Sequence, residues 1–386
     1  MNDLTSYQHI FEPITLGRNL TLKNRIFLSS MGVDISEPGG TASSQLIAFY
    51  QGIINGGPGM VILGNASIHP SSRLQTRGLG LHDDEQAEAL RPLFKYGRQH
   101  HCEVVVQLQH YGAQGHMQSS QKPLLSPSGI DCPRMKIRQT GYKTVAMTRA
   151  DIAQVRRFYA KAAARAQSAG ARIVQLQAAN GYLLSSFLSP HTNRRHDEYG
   201  GSPAKRMRLL CDIISDIRTI CPELALSVRL GIDDGYDDKG QQPTLIAPEI
   251  KQLESLGVTS LSLAMTTNDT VQLFLNTSDA IRQRLYKGIS IIREATSLPI
   301  GFSGFTANLA QAEQVMQHLH VDLVGMTRAL FADNDLIIKT LQGRNTDIRA
   351  CRFDSHCFRD KSNPALDQVY CCVNPKYRRP KHIHYE

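Results

Sequence analysis

The sequence of 386 residues has no apolar run approaching the ~20 residues that a membrane-crossing helix needs, so no membrane span is expected. Its first residues, MNDLTSYQHIFEP, have neither a basic start nor an apolar core; they read as the start of a cytoplasmic protein rather than a secretory leader. No G-x-G-x-x-G follows an expected strand, which argues against a dinucleotide-binding domain of its own. Internal repeats and low-complexity tracts are absent as well. No nucleic-acid module and no basic motif interleaved with aromatics stands out, so nucleic acid is not an expected partner. The net charge of +9, with a basic end at Lys376, Arg378, Arg379 and Lys381, leaves two readings. One is a solvated basic face with a loose tail, and the other is a phosphate-bearing ligand or cofactor.

At 41% apolar and 20% charged, the composition is that of an ordinary globular protein. The length could hold two domains, but an α/β barrel runs this long as one. Short β-rich runs near residues 25–29, 60–64, 103–108, 172–177, 224–230, 258–263, 299–303 and 321–326 alternate with helical stretches. Eight such units predict a closed parallel (β/α)8 TIM barrel. Thr148 and Asp151 approximate a capping box, followed by a helical stripe of Ile152, Val155, Tyr159, Ala162, Ala163 and Ala166. Met207, Leu210, Ile213, Ile214 and Ile217 form a second stripe, and both are core-facing. Residues 115–147 break the rhythm with Ser, Pro, Gly and Lys. Lying between the third strand and its helix, they are expected to cap the barrel mouth. Polar excursions at 233–243 and 264–279 fall on the same face. The barrel is expected over 1–345 and a cysteine-containing extension over 346–386.

Chemistry in such a barrel sits at the carboxyl ends of the strands. The stretch Ala169–Arg208 places Gln177, Asn180 and Tyr182 there, before a Gly200-Gly201-Ser202 turn and a helix starting near Pro203. Ser29-Ser30-Met31-Gly32 closes the first strand, where a plain strand-to-loop turn is also a sufficient reading. Gln107 ends the third strand, and its carboxamide offers both a donor and an acceptor. Asn65, ending the second, is a weaker candidate of the same type. Arg229 stands in the middle of a strand buried on both sides, where an unpaired charge is costly and an anionic partner is required. Asp233 and Asp234 are the nearest candidates in sequence. Ser303-Gly304-Phe305-Thr306 and Gly325-Met326-Thr327-Arg328 end strands seven and eight, where backbone N–H groups and Arg328 suit a phosphate.

The phrase GYLLSSFLSPHTNRRHDEYGGS, together with these strand ends, resembles the Old Yellow Enzyme and 2,4-dienoyl-CoA reductase family of FMN-dependent oxidoreductases, over nearly the full chain. The resemblance implies an ene-reductase-like enzyme. Hydride would pass from NAD(P)H through flavin N5 to an α,β-unsaturated carbonyl or related conjugated small molecule. Ser30, Met31, Gly32, Asn65, Gln107 and Arg229 would contact the flavin ring; Ser303, Gly304, Gly325, Thr327 and Arg328 would hold its phosphate. Gln177 and Asn180 would hold the substrate oxygen while Tyr182 gives the proton. The family generally has His where Gln177 stands. An amide donates a hydrogen bond but does not titrate, which predicts a displaced substrate range, weaker activation of enones, or loss of turnover. Gly32 replaces a residue that usually has a side chain, and Thr327 replaces a usual Gly. His110, His191 and His196 match no catalytic position.

Four cysteines crowd the end of the chain, at Cys351, Cys357, Cys371 and Cys372. In a chain without a leader, clustered thiols favour metal ligation over disulfides. The dienoyl-CoA reductase and trimethylamine dehydrogenase branch carries a [4Fe–4S] motif here, but Asp354 occupies the second cysteine position, so a cluster, a zinc site and an unmetallated relic all remain open. That branch usually continues into a nucleotide-binding region. Electrons would here come from a nicotinamide docked over the flavin or from an electron-donor protein. Two further readings stand: a dehydrogenase of amines or saturated rings, and an electron-transfer subunit without turnover. A homo-oligomer is compatible with all of them.

Overall fold

The expected strands form one closed ring. The computed structural model describes residues 7–117, 122–275, 278–357 and 368–379; Lys381 of the basic end lies outside them. The barrel strands are β1 (Ile26–Gly32), β2 (Met60–Ser67), β3 (Glu103–Gln109), β4 (Ile173–Ala178), β5 (Ala225–Asp233), β6 (Ser260–Met265), β7 (Ile300–Ser303) and β8 (Leu323–Gly325). Each pairs in parallel with the next, and β8 closes on β1 through Val324 with Ile26 and Gly325 with Phe27. The outer ring consists chiefly of α1 (Ser44–Asn55), α2 (Asp84–Gln99), α3 (Arg149–Ala169), α4 (Pro203–Ile220), α5 (Ile250–Ser255), α6 (Asp279–Ala295), α7 (Leu309–Leu319) and α8 (Leu336–Leu341).

Local signals set the helix starts. Thr148 and Asp151 form the predicted capping box of α3, and Ser202 caps α4 with Pro203 in its first turn. Such caps contribute about 1 kcal/mol each. The two predicted stripes are buried against the barrel. Along β3, Val104, Val106 and Leu108 join the core between barrel and helices, while Val105 belongs to the barrel interior.

That interior changes character from bottom to top. Below, Phe27, Ile62, Val105, Ile173 and Leu323 pack against Leu16, Leu20 and Leu22. These leucines come from a small antiparallel hairpin, Ile14–Thr15 with Thr21–Leu22, that plugs the barrel floor. Above this apolar layer a row of buried polar groups crosses the interior. Gln107 Nε2 donates to Gln175 Oε1 (2.7 Å), and Gln175 Nε2 donates to Ser227 Oγ (3.1 Å).

Near their carboxyl ends the strands depart from regular pairing. The β1–β2 register shifts between Leu28 and Met31, the β2–β3 register between Leu63 and Ala66, and the β6–β5 register at Ala264–Met265. A bulge re-aims side chains, and all three occur where the site lies. Gly64 is required at one of them, because a Cβ there would meet the Met31 nitrogen at 2.5 Å.

The excursion after β3 is ordered over its described residues. Leu124–Ser126 pairs with Thr144–Ala146, and a short cap helix spans Pro133–Arg138. The C-terminal extension packs on the barrel. Tyr377 stacks on Phe331 (4.9 Å between centroids), and Asn374 Nδ2 donates to the Phe331 carbonyl (2.8 Å). Val369 and Cys371 join the barrel's main core.

Candidate active site

Two adjoining cavities open at the carboxyl ends of the strands, sharing Ser30, Met31, Arg229 and Arg328. Arg229 stands at their junction. Its Nη1 donates to Ser29 Oγ (2.6 Å) and Ser30 Oγ (3.1 Å). The β1 bulge lets two consecutive serines serve one guanidinium. Neither of its sequence neighbours neutralises it. Asp233 binds Arg284 Nε (2.6 Å) and Nη2 (2.9 Å), while Asp234 accepts from Ser189 Oγ (2.5 Å) and the Gln241 amide (2.8 Å). Arg229 is enclosed by protein except where it faces the cavities. That burial pushes its pKa down to about 10, partly offset by the nearby Tyr182 phenol. Its Nε has no hydrogen-bond partner among the described residues.

One cavity is lined by groups that suit an anion. Ser303, Gly304, Phe305, Thr306, Gly325, Thr327 and Arg328 line it. Thr327 Oγ1 accepts from the Ser29 amide (2.9 Å), tying β1 to the turn after β8. The helix after β7 begins only at Leu309, capped by Asn308, so donors on that side come from loop amides. Arg328 is mostly buried, which lowers its pKa, and its Nη2 also has no partner among the described residues. Phe353, from the C-terminal extension, lies 4.3 Å from its guanidinium carbon.

The other cavity is broader and rich in carboxamides. Met31, Gly32, Asn65, Gln177, Asn180 and Tyr182 line it, with Gln114, Thr267 and Asn268 beside them. Gln177 is buried, and its Oε1 accepts from the Ala179 amide (3.2 Å), which leaves its NH2 end for the cavity. Asn180 holds a left-handed backbone (φ 60°), fixed by the bond from Gln114 Nε2 to its carbonyl (2.9 Å). A non-glycine residue in this conformation is strained, as is common at functional sites. Tyr182 sits at the start of the Leu183–Leu188 turn with its ring edge-on to Tyr111 (5.2 Å).

Gln107 does not line either cavity; it lies in the buried amide row with Oε1 unpartnered among the described residues. Gln109, two residues on, bonds Asn65 on the cavity wall, and sequence reasoning missed it. The same two-residue alternation that puts Gln107 inside the barrel would have pointed to it. His110 lines neither of the two cavities. Burial drives His110 down to about 3, and its Nδ1 accepts from the Gly112 amide (3.0 Å) as a neutral ring.

A side chamber runs from Gln114 and Thr267 to Asp269, Tyr236, His191 and Cys132. Asp269 accepts from the Tyr236 hydroxyl (3.1 Å), and His191 stacks on Tyr236 at 3.9 Å. Burial holds the Cys132 thiol up at about 12, so it is inert at neutral pH. Of the C-terminal cysteines, only Cys357 lines the main cavity. Cys372 donates to Asp354 (3.4 Å), and the Cys351 and Cys371 sulfurs accept backbone N–H groups (3.4 Å each). Among the described residues, no group of three or more metal-ligating side chains converges.

Whether these residues suit a flavin mononucleotide is decided by the unpartnered polar atoms. Arg229 Nε and Arg328 Nη2, on the cavity walls, are buried donors without partners among the described residues. A ring with a polar pyrimidine edge and a phosphate tail supplies partners of these kinds, and the residues fit it. A flavin-binding barrel oxidoreductase is the class that this fold and site define.

The chain belongs to the NADH:flavin oxidoreductase / NADH oxidase family, whose model matches residues 9–347. Its cofactor is FMN. It is 30% identical over 327 residues to an NADPH dehydrogenase of Geobacillus thermodenitrificans, covering 83% of this chain and 90% of that one. The fold matches an old yellow enzyme homologue from Zymomonas mobilis with a TM-score of 0.72 at 22% identity, over 86% of this chain and 92% of that one. It also matches 6-hydroxypseudooxynicotine amine oxidase from Pseudomonas geniculata N1 with a TM-score of 0.84 at 26% identity, over 98% of this chain. This chain spans 55% of that protein, a little over half its length. Among the described residues, no helix is long and apolar enough to cross a membrane.

Proposed function

We propose that the chain reduces an electron-poor alkene conjugated to a carbonyl, with NAD(P)H as the source of electrons. When bound, FMN would supply the hydride-transfer chemistry between the nicotinamide and the alkene. The protein's residues hold, orient and protonate. Arg229 would hold the ring with a fixed positive charge, and Ser29 and Ser30 keep its guanidinium in place. Ser303, Gly304, Gly325, Thr327 and Arg328 hold the phosphate. Gln177 presents its NH2 end, and Asn180 stands just beyond it at the strand end; both serve as donors to the substrate oxygen. Donors aimed at an oxygen that gains charge lower the barrier, each by up to ~3 kcal/mol. Tyr182 delivers the proton to carbon, a role suited to a group protonated at neutral pH.

The observation that carries this reading is the arginine at the junction of an anion pocket and a carboxamide-lined cavity, with no carboxylate to neutralise it among the described residues. The experiment is anaerobic mixing of the yellow protein with NADPH or NADH, followed by a simple cyclic enone. Bleaching and then recovery of the flavin spectrum is expected, and Tyr182→Phe should slow only the recovery. A protein that binds no FMN, or a reduced flavin indifferent to every enone offered, refutes the proposal.

A second reading, oxidation of an amine, is favoured by the side chamber, where the Asp269 carboxylate sits beside the stacked His191–Tyr236 pair. A carboxylate next to an aromatic face suits an ammonium group. Flavin bleaching by an aromatic amine without any nicotinamide would select this reading.

A further inference from the structure

The side chamber adjoins the carboxamide-lined cavity, and Gln114 and Thr267 stand in the wall of both. Local geometry fixes this threshold. Gln114 Nε2 donates to the Asn180 carbonyl (2.9 Å), and Asn180 forms a β-bridge with Thr267. Gly181 is required between Asn180 and Tyr182, because its backbone is left-handed (φ 74°) and a Cβ would meet Gln114 Nε2 at 2.7 Å. A ligand held over Gln177 and Asn180 therefore has the chamber beside it. At about 650 Å³ with its mouth, the chamber far exceeds the ~30 Å³ share of one water, so it admits an organic group.

Two carboxylates line the chamber, Asp131 and Asp269, and no lysine or arginine does among the described residues. Asp131 is engaged by Lys136 Nζ (2.9 Å) and Thr144 Oγ1 (2.6 Å). Asp269 has only neutral donors among the described residues: the Arg134 amide (3.1 Å) and the Cys132 thiol (3.5 Å) at Oδ1, and the Tyr236 hydroxyl (3.1 Å) at Oδ2. Arg134 sends its Nη1 to the Asn268 carbonyl (3.2 Å) instead. Ser126 adds an independent sign. It is 2% exposed and lines the chamber, yet its Oγ has no hydrogen-bond partner among the described residues. A buried hydroxyl left unpaired is costly, so a ligand in the chamber supplies what Ser126 lacks. The stacked His191 and Tyr236 rings (3.9 Å) give the same wall an aromatic surface.

We propose that the chamber anchors a protonated amino group on the far end of the substrate, so that the preferred substrates are conjugated enones bearing a cationic arm. An ammonium brings several N–H donors and no acceptor, which matches this wall. Asp269 pairs with its charge, and Ser126 Oγ accepts a further N–H. The aromatic rings attract the cation and cover its carbon stem. A neutral arm of the same size leaves the carboxylate without a counter-ion and the hydroxyl unpaired, which is the basis of discrimination. The inference rests on the proposed function and deepens it: the amine is an anchor that stays intact while the alkene is reduced beside Gln177 and Asn180.

The test uses the full-length FMN-loaded protein, reduced with dithionite and mixed without air with two cyclohexenones. Both carry the same alkyl arm on a ring carbon outside the conjugated system, ending in an ammonium in one probe and in a methyl group in the other. The concentration that half-saturates flavin reoxidation is expected to be about tenfold lower for the ammonium probe, the equivalent of one charged hydrogen bond. Asp269→Asn should bring that ratio close to one. Ser126→Ala, which removes a hydroxyl without a partner among the described residues, should reduce it about threefold. Equal half-saturation by the two probes, or a ratio unmoved in both variants, overturns the inference. So does bleaching of the oxidised flavin by the ammonium probe without any reductant, since the amine would then be the reacting group. Calorimetry with n-butylammonium separates the subsite from the reaction. If it binds the wild type and not Asp269→Asn while no enone reoxidises the flavin, the subsite stands and the proposed function falls. If unsubstituted cyclohexenone reoxidises the flavin and the ammonium arm confers no advantage, the subsite falls and the proposed function stands.

Discussion

Arg229 and Ser29 are 200 residues apart in the chain, yet the guanidinium donates to the hydroxyl at 2.6 Å across the top of the barrel. A serine positions a cation without neutralising it, so the full charge stays available for a ligand. Arg229→Met is therefore expected to relieve the buried charge and leave the barrel folded, while lowering FMN retention. A charged hydrogen bond is worth ~1.5–3 kcal/mol, which predicts FMN binding roughly 10- to 100-fold weaker. The reduction potential of whatever flavin remains should fall, because the reduced ring loses its stabilising cation. Flavin content per chain and a redox titration measure both effects. Unchanged occupancy together with an unchanged potential would refute the role of Arg229.

Gln177 and Arg229 are register partners on β4 and β5, which puts an amide rather than an imidazole next to the cation. Neither Gln177 nor Asn180 titrates, and His110 is held neutral by burial. Reoxidation of the reduced flavin by an enone should therefore change less than about twofold between about pH 6 and pH 8. Gln177→His is expected to raise that rate by about tenfold, because an imidazolium is a stronger donor to the substrate oxygen. It should also add a pH dependence, with the rate falling as pH rises through an imidazole pKa that burial and the neighbouring Arg229 charge hold below about 6.5. Rapid-mixing rates across this pH range, for the wild-type protein and the variant, decide the point.

The barrel was legible in the sequence because parallel strands buried on both faces read as short apolar runs, and all eight expected runs are strands. Arg229 was legible for the opposite reason: a charge inside such a run contradicts its surroundings. What joins the two halves of the site was not legible. The bulge that turns both Ser29 and Ser30 toward Arg229 depends on how β1 pairs with β2, and no local pattern encodes that register. Gln107 and Gln109 illustrate the same limit. Both face the interior, but depth along the strand, which spacing alone does not give, decides that Gln109 meets a wall residue and Gln107 does not. The floor-plugging hairpin was missed because strands of two residues are too short to show a period.

His110 links the site's surroundings to stability. Burial lowers its folded-state pKa from 6.5 to about 3. Between those values the unfolded chain takes up a proton that the folded chain refuses, so stability is fully present above pH 6.5 and lost as pH falls toward 3. The slope approaches about 1.4 kcal/mol per pH unit for one such group. His110→Gln keeps an acceptor side chain but cannot take up the proton. Its melting temperature should lie below that of the wild type at neutral pH, from lost packing, and should fall less steeply as the pH drops from about 6.5 to about 4.5. Parallel acid limbs for the two proteins would show that His110 contributes nothing to acid sensitivity.

Phe353 brings the C-terminal extension to the wall of the anion-suited cavity. Its ring lies 4.3 Å from the Arg328 guanidinium carbon, on the wall of the anion pocket, and its backbone is left-handed at φ 56°. That conformation costs a non-glycine residue about 1 kcal/mol, and the cation–π contact returns a similar amount. Two substitutions separate the two contributions. Phe353→Ala keeps the backbone strain and loses the ring, so it should destabilise the extension and weaken FMN retention several-fold. Phe353→Gly loses the ring but relieves the strain, so it should melt higher than Phe353→Ala while retaining FMN equally poorly. FMN dissociation rates and melting curves for the pair carry the test. If Phe353→Gly releases FMN no faster than the wild type, the ring plays no part in holding Arg328 against the phosphate.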